Sequence, residues 1–95
     1  MPTYVMLSRL SPEGVKTVKN NPERVKEVNA EVEQLGAMVL AQYALLGAYD
    51  FITVLDAPDE RTVARISVEL GSRGTASYET LTTIPVDEFI SSLKG

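Results

Sequence analysis

Residues 45–55, Leu-Leu-Gly-Ala-Tyr-Asp-Phe-Ile-Thr-Val-Leu, form the densest apolar run of the chain, and the rest of the fold is organised around them. Gly47 is the expected reversal point between two strands, because glycine tolerates the backbone conformations that tight turns need. The residues after Gly47 predict the most hydrophobic strand. Asp50 is anomalous there, since acids are depleted from strands and costly to bury without a partner. The run therefore predicts a hairpin that carries one unusual acid.

Upstream of this hairpin, the sequence predicts one strand and one long helix. Residues 3–9, rich in β-branched and aromatic types, predict the first strand. Residues 11–14, Ser-Pro-Glu-Gly, are typical of a turn, and residues 15–20 lead from it to the helix with at most a short helical turn. Asn21 is the expected N-cap of that helix, with Pro22 at its first position and Gly36 at its end. Its apolar stripe consists of Val25, Val28, Val32 and Leu35.

The hairpin and the segments that follow complete a regular alternation of strands and helices. Residues 37–46 and 49–56 predict the second and third strands, and residues 57–60, Ala-Pro-Asp-Glu, open a second helix. That helix has an apolar stripe of Val63, Ile66 and Leu70 and is expected to end at Gly71 and Gly74. Residues 75–84 predict a fourth strand. A short third helix then follows, with Val86, Phe89, Ile90 and Leu93 as its stripe.

Two strand–helix–strand units joined by a hairpin predict an α+β, ferredoxin-like βαββαβ domain over residues 1–95, with a short C-terminal helix. Three of the four strands are apolar on both faces, as their alternating side chains indicate. In the first strand, Val5 and Leu7 are expected opposite Tyr4 and Met6, and in the third strand Phe51 and Leu55 opposite Ile52 and Val54. In the second strand, one face is expected to carry Val39, Tyr43 and Leu45, and the other Met38, Leu40 and Leu46.

An apolar sheet face that the two main helices leave open predicts an interface, since small soluble proteins seldom expose such patches. We therefore expect a second copy to pack sheet to sheet, which closes a dimeric α+β barrel with an interface on the order of 1,600 Å². The alternative is that the third helix folds back far enough to cover the face.

Composition narrows the classes of function. The chain has 95 residues, 44% hydrophobic and 23% charged, and contains neither cysteine nor histidine. Disulfides, thiolate metal sites and His-dependent nucleophile systems are thereby excluded. A formal charge of −4 argues against a nucleic-acid partner. No apolar run is long enough for a membrane span. We expect a cytoplasmic protein without a cofactor.

The turn Gly47-Ala48-Tyr49-Asp50, followed by a β-run and Ala57-Pro58-Asp59, resembles the GYD domain family. The resemblance extends over nearly the whole chain and includes Tyr4, the region from Arg24 to Gly36, and residues 79–81, Glu-Thr-Leu. It implies a fold of the dimeric α+β barrel group, in agreement with the two-faced sheet. The function of the family is largely undefined, so the resemblance implies little about chemistry.

Asp50 is the candidate for chemistry. As a partly buried carboxylate beside Tyr49 it has the character of a general base or a polar anchor. Alternatively, it accepts backbone N–H bonds near Gly47, or it pairs with an arginine such as Arg9.

The other candidate ligand-binding residues are Tyr4, Tyr43, Tyr49, Tyr78 and Glu79. Tyrosines that converge between the sheet and a partner would suit a small hydrophobic or aromatic ligand, although such tyrosines also simply pack. Glu79 beside Asp50 would form a carboxylate pair, but no calcium-type loop supports a metal, so none is expected.

Two functions remain open. The first is a non-enzymatic, homo-oligomeric module that binds a small ligand or a partner protein. The second is a cofactor-free oxygenase or isomerase that acts on an aromatic or hydrophobic small molecule with Asp50 as its base. A purely structural assembly subunit, with no cavity, is a further alternative.

Overall fold

A computed structural model describes all 95 residues as a four-stranded sheet with four helices. The strands are β1 (Thr3–Leu10), β2 (Met38–Ala44), β3 (Phe51–Asp56) and β4 (Ala76–Thr82). The helices are α1 (Pro12–Asn20), α2 (Arg24–Gln34), α3 (Glu60–Gly71) and α4 (Val86–Leu93).

The sheet is antiparallel throughout, with strand order β2-β3-β1-β4. The first and third strands therefore lie at the centre, and each strand–helix–strand unit places its second strand beside a strand of the other unit. This arrangement confirms the predicted α+β class and is consistent with the ferredoxin-like fold. Gly47 adopts a φ of 123° between β2 and β3, as the predicted reversal requires.

One face of the sheet, called here the helix face, packs against α2 and α3. Tyr4 and Met6 of β1 and Leu55 of β3 are buried there. The predicted stripe of α3 is confirmed, since Val63, Ile66 and Leu70 are all buried. Asp59 caps this helix, and its carboxylate accepts a 2.9 Å hydrogen bond from the backbone N–H of Thr62.

The segment after β1 differs from the sequence prediction. Ser11 and Pro12 do not form a turn; they begin the nine-residue helix α1, in which Ser11 is the N-cap and Pro12 the first residue. Gly14 is needed for close approach, because a Cβ at this position would lie 2.0 Å from the Thr75 carbonyl oxygen. Asn21 ends α1, which explains why the next helix begins only at Arg24 and not after an Asn21 cap.

The predicted faces of β2 are partly wrong because the strand contains a β-bulge. Val39 pairs with Leu55 and Ala41 pairs with Val54, so Leu40 is the extra residue. Val39 therefore lies on the helix face while Tyr43, opposite Ile52, lies on the other face. Strict alternation had placed these two side chains together. Leu45 and Leu46 lie beyond the end of the strand.

The second face of the sheet, called here the open face, carries no helix. Its central side chains are Val5, Leu7, Ile52 and Val54, flanked by Met38, Leu40, Tyr43 and Leu81. The four flanking side chains are 43–63% exposed. The alternative in which α4 folds back over this face is not observed, because none of the residues of α4 is buried.

None of the four helices combines the length and the apolar composition needed to cross a membrane.

Candidate functional site

The space between the helix face and the helices α1 and α2 contains a cavity of about 360 Å³. It lies on the side of the sheet opposite to the open face. Its apolar wall comes from α2 on one side and the sheet on the other, and consists mainly of Val25, Val28, Val32, Phe51 and Leu55. A cavity of this size is at the small end of the range of about 300–1,000 Å³ that is usual for ligand sites.

One wall of the cavity carries a chain of polar side chains. The Asn29 amide donates a 2.7 Å hydrogen bond to the Gln42 carbonyl oxygen, and the Gln42 amide donates a 2.9 Å bond to the Thr53 hydroxyl. All three residues line the cavity, and their hydrogen bonds join α2 to β2 and β3. Ser8, only 7% exposed, is the one buried polar residue of the protein, and it lines the same cavity.

Two arginines lie at the rim of the cavity and share one acid. The Arg24 guanidinium donates a 3.2 Å hydrogen bond to Glu31, and Arg73 donates to the other oxygen of the same carboxylate. The bond to Arg73 is the main cause of a lowered pKa of Glu31, and the bond to Arg24 adds to it. Because Arg73 follows α3 whereas Glu31 belongs to α2, this ion-pair network connects α2 to the end of α3.

Tyr78 is the predicted site residue that lies in this cavity. It belongs to β4 and is opposite Ser8 of β1, so both side chains belong to the helix face. Burial raises the pKa of its phenol, and the positive charge of Arg73 offsets part of that effect. The phenol therefore stays protonated across the physiological range and offers a hydrogen-bond donor.

Asp50 lies just before β3 and outside the lining of the cavity. Its carboxylate oxygen Oδ2 accepts a 2.7 Å hydrogen bond from the backbone N–H of Leu10, and its own backbone N–H donates a 2.7 Å bond to the Ser8 carbonyl. The observed partner is thus a backbone N–H of β1 and not the Arg9 side chain. The two acids of the predicted carboxylate pair have different partners, since Asp50 accepts from Leu10 and Glu79 accepts from the Tyr49 hydroxyl.

A second polar group forms around Tyr49. The Arg9 guanidinium lies 4.4 Å from the centre of the Tyr49 ring and donates a 2.8 Å hydrogen bond to the Ala48 carbonyl. The Tyr49 hydroxyl donates a 2.7 Å bond to Glu79, and this bond raises the pKa of Tyr49. This group fixes the turn before β3 against β1 and β4.

The remaining two tyrosines are separated by the sheet. Tyr4 is buried in the core beside the start of α3; burial raises the pKa of its phenol, and the carboxylates of Glu60 and Asp59 add to the effect. Tyr43 is 63% exposed on the open face. The four tyrosines therefore do not converge on one space between sheet and partner.

Apart from Tyr78, sequence reasoning did not single out the polar side chains that line the cavity. The sequence pattern placed Arg24 on the charged, solvated face of the first helix and Arg73 in the segment between Gly71 and Gly74. One signal was present: Gln42 and Thr53 are polar residues within apolar strands and lie opposite each other. No group of three or more acidic residues is placed to hold a metal ion.

Comparison with known proteins gives a family match for the sequence. The sequence model of the GYD domain matches residues 4–93. The chain is 50% identical to a protein from Thermus thermophilus named "Glutamine synthetase and cystathionine beta-lyase binding protein", over 99% of this chain and 100% of the relative. Among solved structures, TTHA0845, also from Thermus thermophilus, is similar in fold, with a TM-score of 0.57 and 21% identity over 90% of this chain and 95% of that one.

Proposed function

The chain belongs to the GYD domain family, and from this premise we propose that it is a non-enzymatic module that binds other proteins. The name of the Thermus relative supports enzymes as the partners, specifically glutamine synthetase and cystathionine beta-lyase. Full-length similarity at 50% identity makes it reasonable that the two chains share a mode of binding.

The observation that carries this proposal is the exposure of α4. Its apolar residues Val86, Phe89, Ile90 and Leu93 are spaced i, i+3, i+4 and i+7, and they are 43–72% exposed. This spacing is the pattern by which an amphipathic helix places its apolar side in a groove of a partner. Left unpartnered, such a stripe costs solubility without stabilising the fold. We therefore assign the contact with the enzyme to α4.

A second copy is proposed to cover the open face, separately from the enzyme partner. Eight apolar side chains from all four strands lie on this face, and no element of the chain covers them. Arg9 and Glu79 lie on the same face at one end of the sheet, where Glu79 is opposite Leu7. Sheet-to-sheet pairing of two copies would bury this surface and place two α4 helices on one dimer. Two docking helices on one particle would increase the avidity for an oligomeric enzyme.

The contacts of Asp50 support an enzymatic function less well than they support a structural role for this residue. Its Oδ2 is engaged with the backbone of Leu10, and Asp50 is not part of the cavity lining. A general base must reach the proton that it removes from a bound substrate.

Binding to purified Thermus thermophilus glutamine synthetase and cystathionine beta-lyase, measured by biolayer interferometry, tests the protein-binding function. We expect saturable binding of the wild-type chain to at least one enzyme. The double variant Phe89→Ser/Ile90→Ser should weaken it by at least tenfold. Val68→Ser, which removes an apolar side chain of α3 that is 72% exposed, is the control and should bind as the wild type does. Failure of the wild type to bind either enzyme would overturn the proposal, and an unchanged affinity of the double variant would exclude α4 as the contact.

A further inference from the structure

We propose that the cavity beneath α1 and α2 binds a small organic carboxylate with an apolar body, and that Arg24 and Arg73 receive the carboxylate. This inference does not depend on the protein-binding function, because it uses the opposite side of the sheet from the open face and none of the residues of α4.

The charged residues of the lining are both hydrogen-bond donors. Arg24 and Arg73 are the two charged residues among the twenty that line the cavity, and no acid is among them. Their charges are offset by Glu27, Glu31 and Glu69, which pair with the guanidinium groups but do not belong to the lining. The lining therefore offers guanidinium N–H donors and no carboxylate, which favours a ligand group that accepts hydrogen bonds in the way a carboxylate does.

The arginines keep donors available although both contact Glu31. A guanidinium has five N–H donors in a planar fork. Arg24 makes its bonds to Glu27 and Glu31 from the single atom Nη1, so its Nε and Nη2 stay available. Arg73 bonds to Glu31 through Nη1, and its Nη2 lies 3.7 Å from Glu69, so fewer of its donors are free. Glu31 itself is not part of the lining, so it approaches the arginines from outside the cavity. A ligand carboxylate can thus bind the free edges of the forks from inside, and Glu31 holds the two guanidinium groups in place for it.

The rest of the lining defines the body of the ligand. The valines of α2 and the side chains of Phe51 and Leu55 offer an apolar slot between helix and sheet. A volume of about 360 Å³ limits the ligand to a short alkyl or a single-ring aromatic acid. Ser8 adds a hydroxyl deep in the slot, in a residue that is 7% exposed. An apolar body with one polar substituent therefore also fits.

Matched pairs of ligands test the proposal on the whole, unmodified chain. The probes are octanoate with octanamide, and 3-phenylpropionate with 3-phenylpropanamide, each titrated by calorimetry. Each pair has nearly the same shape and differs in charge. We expect each carboxylate to bind at least tenfold more tightly than its amide, with an affinity that falls as salt rises. Equal affinities within a pair would overturn the assignment of an anion, and absence of binding by all four probes would overturn the site.

Variants then locate the contact. Arg24→Gln and Arg73→Gln should each reduce the preference for carboxylate over amide, while Arg65→Gln, which changes an exposed arginine of α3, should leave it unchanged. Val28→Trp should fill the slot and abolish binding of all probes. Circular dichroism shows whether each variant is folded. If a variant does not fold, the comparison of carboxylate with amide on the wild-type chain still tests the proposal. A preference that persists in both arginine variants would overturn the proposed contact.

Discussion

The carboxylate of Asp50 is joined to the backbone of Leu10 by a 2.7 Å hydrogen bond, across a sequence separation of 40 residues. Leu10 is the last residue of β1, so its N–H lies where the strand leaves the sheet for α1. The acid that stood out in the sequence thus connects the hairpin between β2 and β3 to the beginning of the helix pair.

Asp50→Ala should destabilise the fold, because the Leu10 N–H loses its charged acceptor. The expected loss is about 1–3 kcal/mol, which lowers Tm by roughly 4–8 °C per kcal/mol in a domain of this size. Asp50→Asn, which keeps an acceptor oxygen, should cost less. Asp87→Asn on exposed α4 is the control for loss of one negative charge. A Tm of Asp50→Ala equal to that of the wild type would show that the bond does not contribute to stability.

Gly14→Ala should destabilise the protein, although alanine is ordinarily the better helix former. The added Cβ would overlap the carbonyl oxygen of Thr75, a backbone atom that cannot rotate away. We expect a cost of about 1–3 kcal/mol from this overpacking. Gly71→Ala, where a Cβ meets no atom within 4 Å, should be neutral or stabilising. Urea unfolding of both variants measures the difference, and similar midpoints would contradict the close approach.

Stability should decline in acid partly through Glu31. Its pKa is lowered in the folded protein, so the folded state favours the charged form. This contribution is fully present above the usual glutamate value of 4.5 and is lost as the pH falls through the lower folded value. Glu31→Gln should therefore reduce the slope of unfolding free energy against pH over this range. Glu33→Gln, at an exposed position of the same helix, is the control, and equal slopes in the two variants would exclude Glu31 as a source of the acid sensitivity.

Leu81→Lys should prevent pairing through the open face. Light scattering of the wild-type chain is expected to give about twice the mass of the 10.4 kDa chain, and the variant should give the mass of a single chain. A lysine there would bring two like charges into an apolar interface. Val68→Lys changes an exposed valine on the helix side and should leave the dimer intact. A wild-type mass near 10.4 kDa would end the proposal of a dimeric barrel.

The elements that the sequence predicted well are those with a local physical signal. The stripe of Val63, Ile66 and Leu70 follows helical periodicity, and Gly47 and Gly36 both adopt the positive φ expected of a turn and a helix end. The start of α1 was misread because serine and proline are as typical of turns as of helix beginnings. The order of strands followed from the alternation of segments, which constrains topology strongly.

The cavity was beyond prediction because it depends on contacts between distant parts of the chain. Glu31 and Arg73 are 42 residues apart, and nothing in the local pattern of either position indicates the other. The predicted site residues were instead chosen around the Gly47–Asp50 motif. In the structure, this motif connects the hairpin between β2 and β3 to Leu10 and Arg9 of β1. Of the named candidates, Tyr78 is the one that lines the cavity.

The bulge in β2 makes position 40 unlike any other in the sheet. Because Leu40 pairs with no residue of β3, its removal would leave Val39 on the helix face and Tyr43 on the open face. Removal of a residue elsewhere in a strand would turn every later side chain of that strand over. Among homologous chains, deletion of the residue at position 40 should therefore be tolerated. A sequence alignment that shifts this gap by one position would assign the wrong side chains of β2 to the open face, where two copies are proposed to meet.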